Sequence, residues 1–203
     1  MKFWGSLTSP YVRKVRATLE HHQLAYEFLP VEGNAFNAQS AHNKVNPLGK
    51  VPALETKEGL WLCDSSVIVE YLDELGCAEK LFPSKQDIVF KNDLALVHGI
   101  LENTTSLMIP EKMFRPESEW WLSRHQQIFE RNRRSIPILA QQLERFGTEL
   151  NMVTLVSVCL VDYFKVRDGM IQMTDVLQET GLIDWAKLMN EKYHCLKSTL
   201  PPT

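Results

Sequence analysis

Short apolar runs separated by polar turns fill the first third of the chain and predict a mixed domain of strands and helices. Residues 2–5 form the first predicted strand. Ser9-Pro10 then begins a helix, because serine is a preferred N-cap and proline suits the first helical position. The apolar stripe of this helix consists of Val12, Val15 and Leu19. Residues 26–31 form the next strand, and this order implies a parallel, right-handed crossover.

A second group of elements follows the polar, irregular residues 33–46, which have room for one short helix. A strand is predicted after Pro52, and a turn at Lys57-Glu58-Gly59 returns the chain antiparallel through residues 60–63. Asp64-Ser65-Ser66 starts the next helix, and Gly76 stops it. The buried side of that helix is predicted to be Ile68, Leu72 and Leu75.

From residue 87 onward the spacing of apolar residues is helical throughout. The first predicted helix is long and is marked by Leu94, Val97, Ile100 and Leu101, and the second starts near Pro116-Glu117. The third covers residues 153–166, and the last runs through Ile183, Trp185 and Leu188. Pro137 should kink or split the second of them, because proline removes a backbone donor and clashes with the preceding turn. Asn151 is the predicted cap of the third helix.

The amino-acid composition and net charge exclude several classes of protein. A hydrophobic content of 44% and a charged content of 23% are ordinary for a soluble globular protein. The net charge of -3 argues against nucleic acid or an anionic membrane as the main partner, and no apolar run approaches the ~20 residues of a membrane span. The chain begins without a signal-peptide core.

The cysteines and histidines show no metal-binding pattern. Four scattered cysteines without a CxxC or zinc spacing predict free thiols, no metal site and a reducing, cytoplasmic compartment. His21-His22 lies late in a predicted helix and is expected to be solvated.

The stretch Asn46-Pro47-Leu48-Gly49-Lys50-Val51-Pro52 is a loop that leads into a strand. Proline is rare inside a central strand, and an X-Pro bond is the one place where a cis peptide is inexpensive. We hypothesise that Val51-Pro52 is cis and that the Val51 backbone is free to pair with an extended peptide ligand. A plain loop with two prolines is the alternative.

Four motifs together resemble the glutathione S-transferase family. They are Thr8-Ser9-Pro10-Tyr11-Val12-Arg13, Asn46 to Pro52, Asp64-Ser65 with Ile68, and Tyr71-Leu72-Asp73. The resemblance implies an α+β thioredoxin-like N-terminal domain (a βαβ-ββα mixed sheet) at residues 1–76, a linker at 77–86 and an all-α helical bundle domain at 87–203. The turn Thr8-Ser9-Pro10 is similar to that of short bacterial members of the serine/cysteine type.

The resemblance also implies glutathione as co-substrate. The helix start at Asp64-Ser65 would hold the γ-glutamyl carboxylate, because free N–H groups and the positive dipole end lie there. The Asp64 carboxylate would meet the ligand amine, or would simply cap the helix. The Val51 backbone would pair with the cysteinyl part. Lys50 would reach the glycyl carboxylate, or would be an ordinary solvated lysine.

Ser9 is the candidate catalytic residue. Its hydroxyl would donate to the glutathione sulfur and favour the thiolate; lowering the thiol pKa by roughly two units is worth about 3 kcal/mol. The alternatives are that Ser9 only caps the helix, or that Thr8 or Ser6 contacts the sulfur. With serine at this position, a mixed-disulfide mechanism is not expected. Arg13 is placed, with Lys14 and Arg16, on the outer part of the helix, and would at most raise the local positive potential.

The electrophile would bind between the domains. Its candidate contacts are Tyr11, His98, Glu102 and Trp121, with ordinary helix packing as the alternative for each. Gly99 in mid-helix suggests a close approach by another group. Thr154 stands where the family commonly has an aspartate that closes a capping box, which lowers the expected stability of that helix start.

The resemblance implies a cytoplasmic, homodimeric transferase with a role in detoxification, whose glutathione thiolate attacks a small apolar electrophile. Neither nucleic acid nor a membrane is an expected partner. The alternative is a non-catalytic module that binds glutathione or another protein and retains the transferase fold.

Overall fold

The N-terminal part of the chain is organised around four strands. The computed structural model describes residues 1–31, 40–82 and 87–202. The strands are β1 (Lys2–Gly5), β2 (Glu27–Pro30), β3 (Ala53–Glu55) and β4 (Trp61–Cys63), in the sheet order β2-β1-β3-β4. β1 pairs with β2 in parallel and with β3 antiparallel, and β3 pairs with β4 antiparallel. The predicted parallel crossover and the predicted hairpin are therefore confirmed.

Two helices pack with this sheet. Helix α1 (Pro10–His21) has Ser9 as its N-cap and Pro10 in its first turn, and its predicted apolar stripe is fully buried. Helix α2 (Ser65–Leu75) follows the cap Asp64. The prediction for Leu75 is wrong, since its side chain is 42% exposed. The buried face of α2 runs through positions 65, 68, 69, 72 and 73, and Leu75 lies beyond its edge.

Charged residues of α1 are also buried, contrary to prediction. Arg13 and Lys14 are almost fully buried and Arg16 is half-buried. The reason is helix α10 (His194–Lys197), which packs on α1, so that the Arg13 Nη2 donates to the Leu196 carbonyl over 3.3 Å. The sequence prediction gave all of 87–203 to the helical domain, whereas contacts group Glu191–Thr203 with Met1–Pro83.

A buried histidine links the C-terminal ends of α1 and α2. His22 was predicted to be solvated, but its side chain is inaccessible and its Nε2 lies 2.9 Å from Asp73 Oδ1. Gly76 makes room for the imidazole, because a β-carbon at that position would lie 2.1 Å from the ring. Burial lowers the pKa of His22 below its ordinary value, and the hydrogen bond to Asp73 opposes that shift only in part.

In the second unit, Ser84–Asn190, every regular element that the structure describes is a helix. Its helices are α3 (Ile88–Asn103), a π-helical segment (Thr104–Met108), α4 (Ile109–Phe114), α5 (Leu122–Leu143), α6 (Met152–Val166), α7 (Asp168–Ile171), α8 (Thr174–Glu179) and most of α9 (Leu182–Lys192). Helix α6 is buried along nearly its whole length and forms the centre of the unit.

Helix α5 begins later than predicted and is not split. Its first residue is Leu122, after a 3₁₀ turn at Glu117–Glu119, and it continues through Pro137. Buried Ile136 and Leu139 flank the proline and secure the helix on both sides.

The start of α6 has the reciprocal hydrogen bonds that a capping box requires. Asn151 Oδ1 accepts from the Thr154 amide over 3.1 Å, and Thr154 Oγ1 accepts from the Asn151 amide over 2.9 Å. Thr154 therefore closes the capping box with its hydroxyl oxygen, which takes the place of the carboxylate oxygen of an aspartate.

The expectation of free thiols is confirmed for all four cysteines. Burial raises the pKa of the Cys195 thiol to about 11. Within the described ranges, no helix has the length and apolar character needed to cross a bilayer.

Candidate functional site at one edge of the sheet

Strand register brings three separate segments to one edge of the sheet. Trp4 stands opposite Ala53, and Ala53 stands opposite Cys63. Because β1 and β4 end at this edge and β3 begins there, the turn after β1, the loop before β3 and the start of α2 converge. These are the segments that contain Ser9, Val51 and Ser65. The predicted glutathione residues therefore share one region of the first unit.

The Ser9 hydroxyl caps α1 and keeps its proton for another partner. Its Oγ accepts from the Val12 amide over 3.4 Å. A hydroxyl can accept one hydrogen bond and donate another, so capping and donation to a ligand sulfur are compatible. The alternatives, Ser6 and Thr8, hydrogen-bond to each other over 3.1 Å.

The loop before β3 starts with a tight turn. The Gly49 amide donates to the Asn46 carbonyl over 2.9 Å, with Pro47 at the second position of the turn. Gly49 has a φ of 63°, a conformation that glycine adopts without steric cost. Asn46 Oδ1 also accepts from the Leu48 amide over 3.0 Å, so the asparagine supports the turn with backbone and side chain.

The Lys50–Val51 peptide comes next. The Lys50 carbonyl accepts from His42 Nε2 over 2.7 Å and from Asn46 Nδ2 over 2.6 Å, while the Lys50 side chain is exposed. The Val51-Pro52 bond is cis, as predicted. Within the described residues, neither the N–H nor the C=O of Val51 has a hydrogen-bond partner. Its backbone is thus available to a ligand.

Asp64 and Ser65 form the start of α2. Asp64 Oδ1 accepts from the Ser66 amide over 2.7 Å, so this exposed carboxylate caps the helix. Asp64 has φ 71° and ψ 124°, a combination that is strained for a residue with a side chain. Ser65 is largely buried beside it. The first backbone N–H groups of an α-helix have no partner within it, which suits an anionic group.

The predicted electrophile contacts are divided between the two units. Tyr11 is half-buried in the first unit. In the second unit, half-buried His98 and exposed Glu102 lie one turn apart on α3, and Trp121, 60% exposed, stands immediately before α5. A β-carbon at Gly99 would meet no described protein atom within 4 Å, so no described part of the chain makes the expected close approach.

His42 and Asn46 are functional candidates that the sequence analysis missed. Asn46 precedes a Pro-x-Gly turn, which is a recognisable signal for a structural asparagine. His42 gives no comparable signal, because its contact depends on how the loop folds. In the part of the chain that the structure describes, no group of three or more His, Cys, Asp or Glu side chains could hold a metal ion.

The sheet, the helices and this edge define a thioredoxin-like domain followed by a helical domain. The family model for the glutathione S-transferase N-terminal domain matches residues 8–75. The uncharacterised GST-like protein YibF of Escherichia coli is 32% identical over 176 residues, which cover 82% of this chain and 83% of that protein. The chain therefore belongs to the glutathione S-transferase family.

Solved structures agree with this assignment. A glutathione transferase family member from Pseudomonas fluorescens Pf-5 with bound glutathione superposes with a TM-score of 0.87 at 25% identity, covering 100% of this chain and 99% of that one. A glutathione S-transferase from Methylobacillus flagellatus with glutathione bound gives a TM-score of 0.85 at 26% identity, covering 99% of both chains. Maleylacetoacetate isomerase of Pseudomonas aeruginosa is 38% identical over 77 residues, 36% of each chain.

Proposed function

We propose that this protein is a glutathione transferase that ionises the glutathione thiol for attack on a small apolar electrophile. The observation that carries the proposal is the convergence of Ser9, the Val51 backbone and the start of α2 at one sheet edge. Glutathione has one matching group for each segment: a carboxylate for the start of α2, an extended backbone for Val51 and a thiol for Ser9. The glutathione-bound structural neighbours support the same ligand.

Each residue has a distinct part in this proposal. The α2 amides and Ser65 hold the γ-glutamyl carboxylate. Asp64 meets the ligand amine with the carboxylate oxygen that the cap leaves free. The Val51 backbone pairs with the cysteinyl residue as an added strand would. Lys50 reaches the glycyl carboxylate from the loop.

Thiolate formation is assigned to Ser9. The hydroxyl donates its proton to the sulfur, while the Val12 amide donates to the same oxygen and strengthens it as a donor. A hydrogen bond to the charged form stabilises the thiolate and lowers the thiol pKa. Tyr11, His98, Glu102 and Trp121 are the proposed electrophile contacts.

Calorimetric titration of glutathione into the purified protein tests the proposal. We expect saturable binding, and conjugation of glutathione to a generic aryl halide in a separate assay. Maleylacetoacetate isomerisation is the second reaction to assay, given the relative with that name. Binding without turnover of either substrate would favour the non-catalytic alternative. No heat and no thermal stabilisation at millimolar glutathione would refute ligand binding altogether.

We also propose that the protein forms a homodimer in the cytoplasm, as the family resemblance implies. A chain of 23.4 kDa would then have twice that mass in solution. Light scattering coupled to size exclusion measures this mass, and a monomer across micromolar concentrations would contradict the dimer.

A further inference from the structure

We propose that His42 and Asn46 are positioning residues, which aim the Val51 amide N–H at glutathione by holding the Lys50 carbonyl from two sides. This inference rests on the proposed function, because it concerns the backbone pair between Val51 and the ligand.

Both side chains use their donors on the same oxygen. The distances to the Lys50 carbonyl are 2.7 Å from His42 Nε2 and 2.6 Å from Asn46 Nδ2, both short hydrogen bonds. Since a carbonyl can only accept, His42 Nε2 carries the proton of this hydrogen bond. The two donors approach from different parts of the loop, a 3₁₀ turn (Ala41–Lys44) and the Asn46 turn.

Holding this carbonyl fixes the adjacent amide. The Lys50–Val51 peptide is planar, and in a trans peptide the C=O and the N–H point in opposite directions. Two hydrogen bonds on the oxygen therefore set the direction of the Val51 N–H, which has no partner among the described residues. They also polarise the peptide, which makes the same N–H a stronger donor.

The burial of the two side chains supports a dedicated role. His42 is 2% exposed and Asn46 is 1% exposed. The His42 Nδ1 atom is buried without a hydrogen-bond partner in the described structure, so the contact with Lys50 is the hydrogen bond that its ring makes. One ring nitrogen therefore stays buried and unpaired among the described residues, a cost that the hydrogen bond to the Lys50 carbonyl offsets.

The test compares His42→Phe with His42→Gln. Phenylalanine keeps a ring beside Trp4 and removes the donor, whereas the glutamine amide can place a donor near the position of Nε2. We expect His42→Phe to weaken the glutathione Kd about tenfold and His42→Gln to stay within about twofold of the wild type. Calorimetry gives the Kd. The pKa of the bound thiol, followed by ultraviolet absorbance of the thiolate, should not change in either variant, because Ser9 is untouched.

A second readout is the Val51 amide itself. In ¹⁵N-labelled protein, glutathione should shift the Val51 resonance, and this shift should shrink in His42→Phe and return in His42→Gln. If His42→Phe does not fold, Asn46→Asp takes its place, since it keeps the acceptor for the Leu48 amide and loses the donor to Lys50.

The outcomes separate the two levels of the proposal. No glutathione binding by the wild type would overturn the proposed function and this inference with it. Wild-type binding together with an unchanged Kd in His42→Phe would overturn the positioning role alone. Equal losses in the Phe and Gln variants would also overturn it, because the donor would then not be the cause.

Discussion

Replacing Ser9 by alanine raises the pKa of protein-bound glutathione by roughly two units, toward the ordinary thiol value near 8.5. Removing the hydroxyl leaves the thiolate without the hydrogen bond that stabilises it. The thiolate fraction at pH 7 then falls about 25-fold, and the conjugation rate falls with it. The pKa is measured by ultraviolet absorbance of the complex, and the rate by conjugation under saturating glutathione.

The pH profile distinguishes lost thiolate stabilisation from general damage. Above pH 9 the bound thiol is mainly ionised in both proteins, so the rates of wild type and Ser9→Ala should converge. A structural defect would lower the rate equally at every pH. Loss of the N-cap adds about 1 kcal/mol of destabilisation, which thermal unfolding reports separately.

Matched variants test the assignment to position 9. Thr8→Ala and Ser6→Ala remove the two neighbouring hydroxyls, which bond to each other, and should leave the thiol pKa in place. Ser9→Thr keeps a hydroxyl and should retain most of the activity. An unchanged profile in Ser9→Ala with a shifted one in Thr8→Ala would transfer the role to Thr8.

Local sequence rules predicted the elements that surround Ser9 and Val51. The serine cap, the Pro10 start and the turn of the hairpin depend mainly on neighbouring residues, so the local sequence is sufficient to predict them. The apolar stripe of α1 could also be predicted from the sequence, because the 3.6-residue period belongs to a single helix. The chemical roles of the site residues were inferred from the family resemblance, because hydrophobic periodicity predicts elements and not chemistry.

Contacts between distant segments explain what the sequence missed. Arg13 and Lys14 look solvated until the chain returns from residue 191 and covers α1. His22 becomes a buried group only when Asp73 arrives from α2. His42 reaches Lys50 only after the intervening loop folds. The sequence around a charged or polar residue does not show which distant segment will bury its side chain.

Replacing Asp73 by alanine should destabilise the protein by about 3–5 kcal/mol. The Asp73 Oδ1 accepts from His22 Nε2 over 2.9 Å and from the Leu81 amide over 2.8 Å, in a setting closed to solvent. Alanine leaves both donors buried without an acceptor and opens a small cavity. Urea denaturation followed by circular dichroism gives the free energy of unfolding.

Asp73→Asn is the matched control. Both donors bond the same oxygen, so an amide oxygen can accept both bonds while the charge is lost. We expect this variant to be far more stable than Asp73→Ala. Glu70→Ala, at an exposed position of the same helix, should change the free energy of unfolding by less than about 0.5 kcal/mol. Equal losses in Asp73→Asn and Asp73→Ala would show that the charge, and not the acceptor, is what His22 requires.

The same pair makes stability depend on pH. His22 has a lowered pKa in the folded protein, so the unfolded chain binds its proton at higher pH. Above a pH of about 6.5, His22 is neutral in both states and does not reduce the free energy of unfolding. As the pH falls from there through the pKa of His22 in the folded protein, the free energy of unfolding decreases. His22→Gln keeps a donor for Asp73 without titrating, and it should flatten the pH dependence of the unfolding free energy in this window. If the wild type and His22→Gln lose stability in parallel below pH 6.5, the proton is taken up elsewhere, and the buried imidazole is not the group that senses acid.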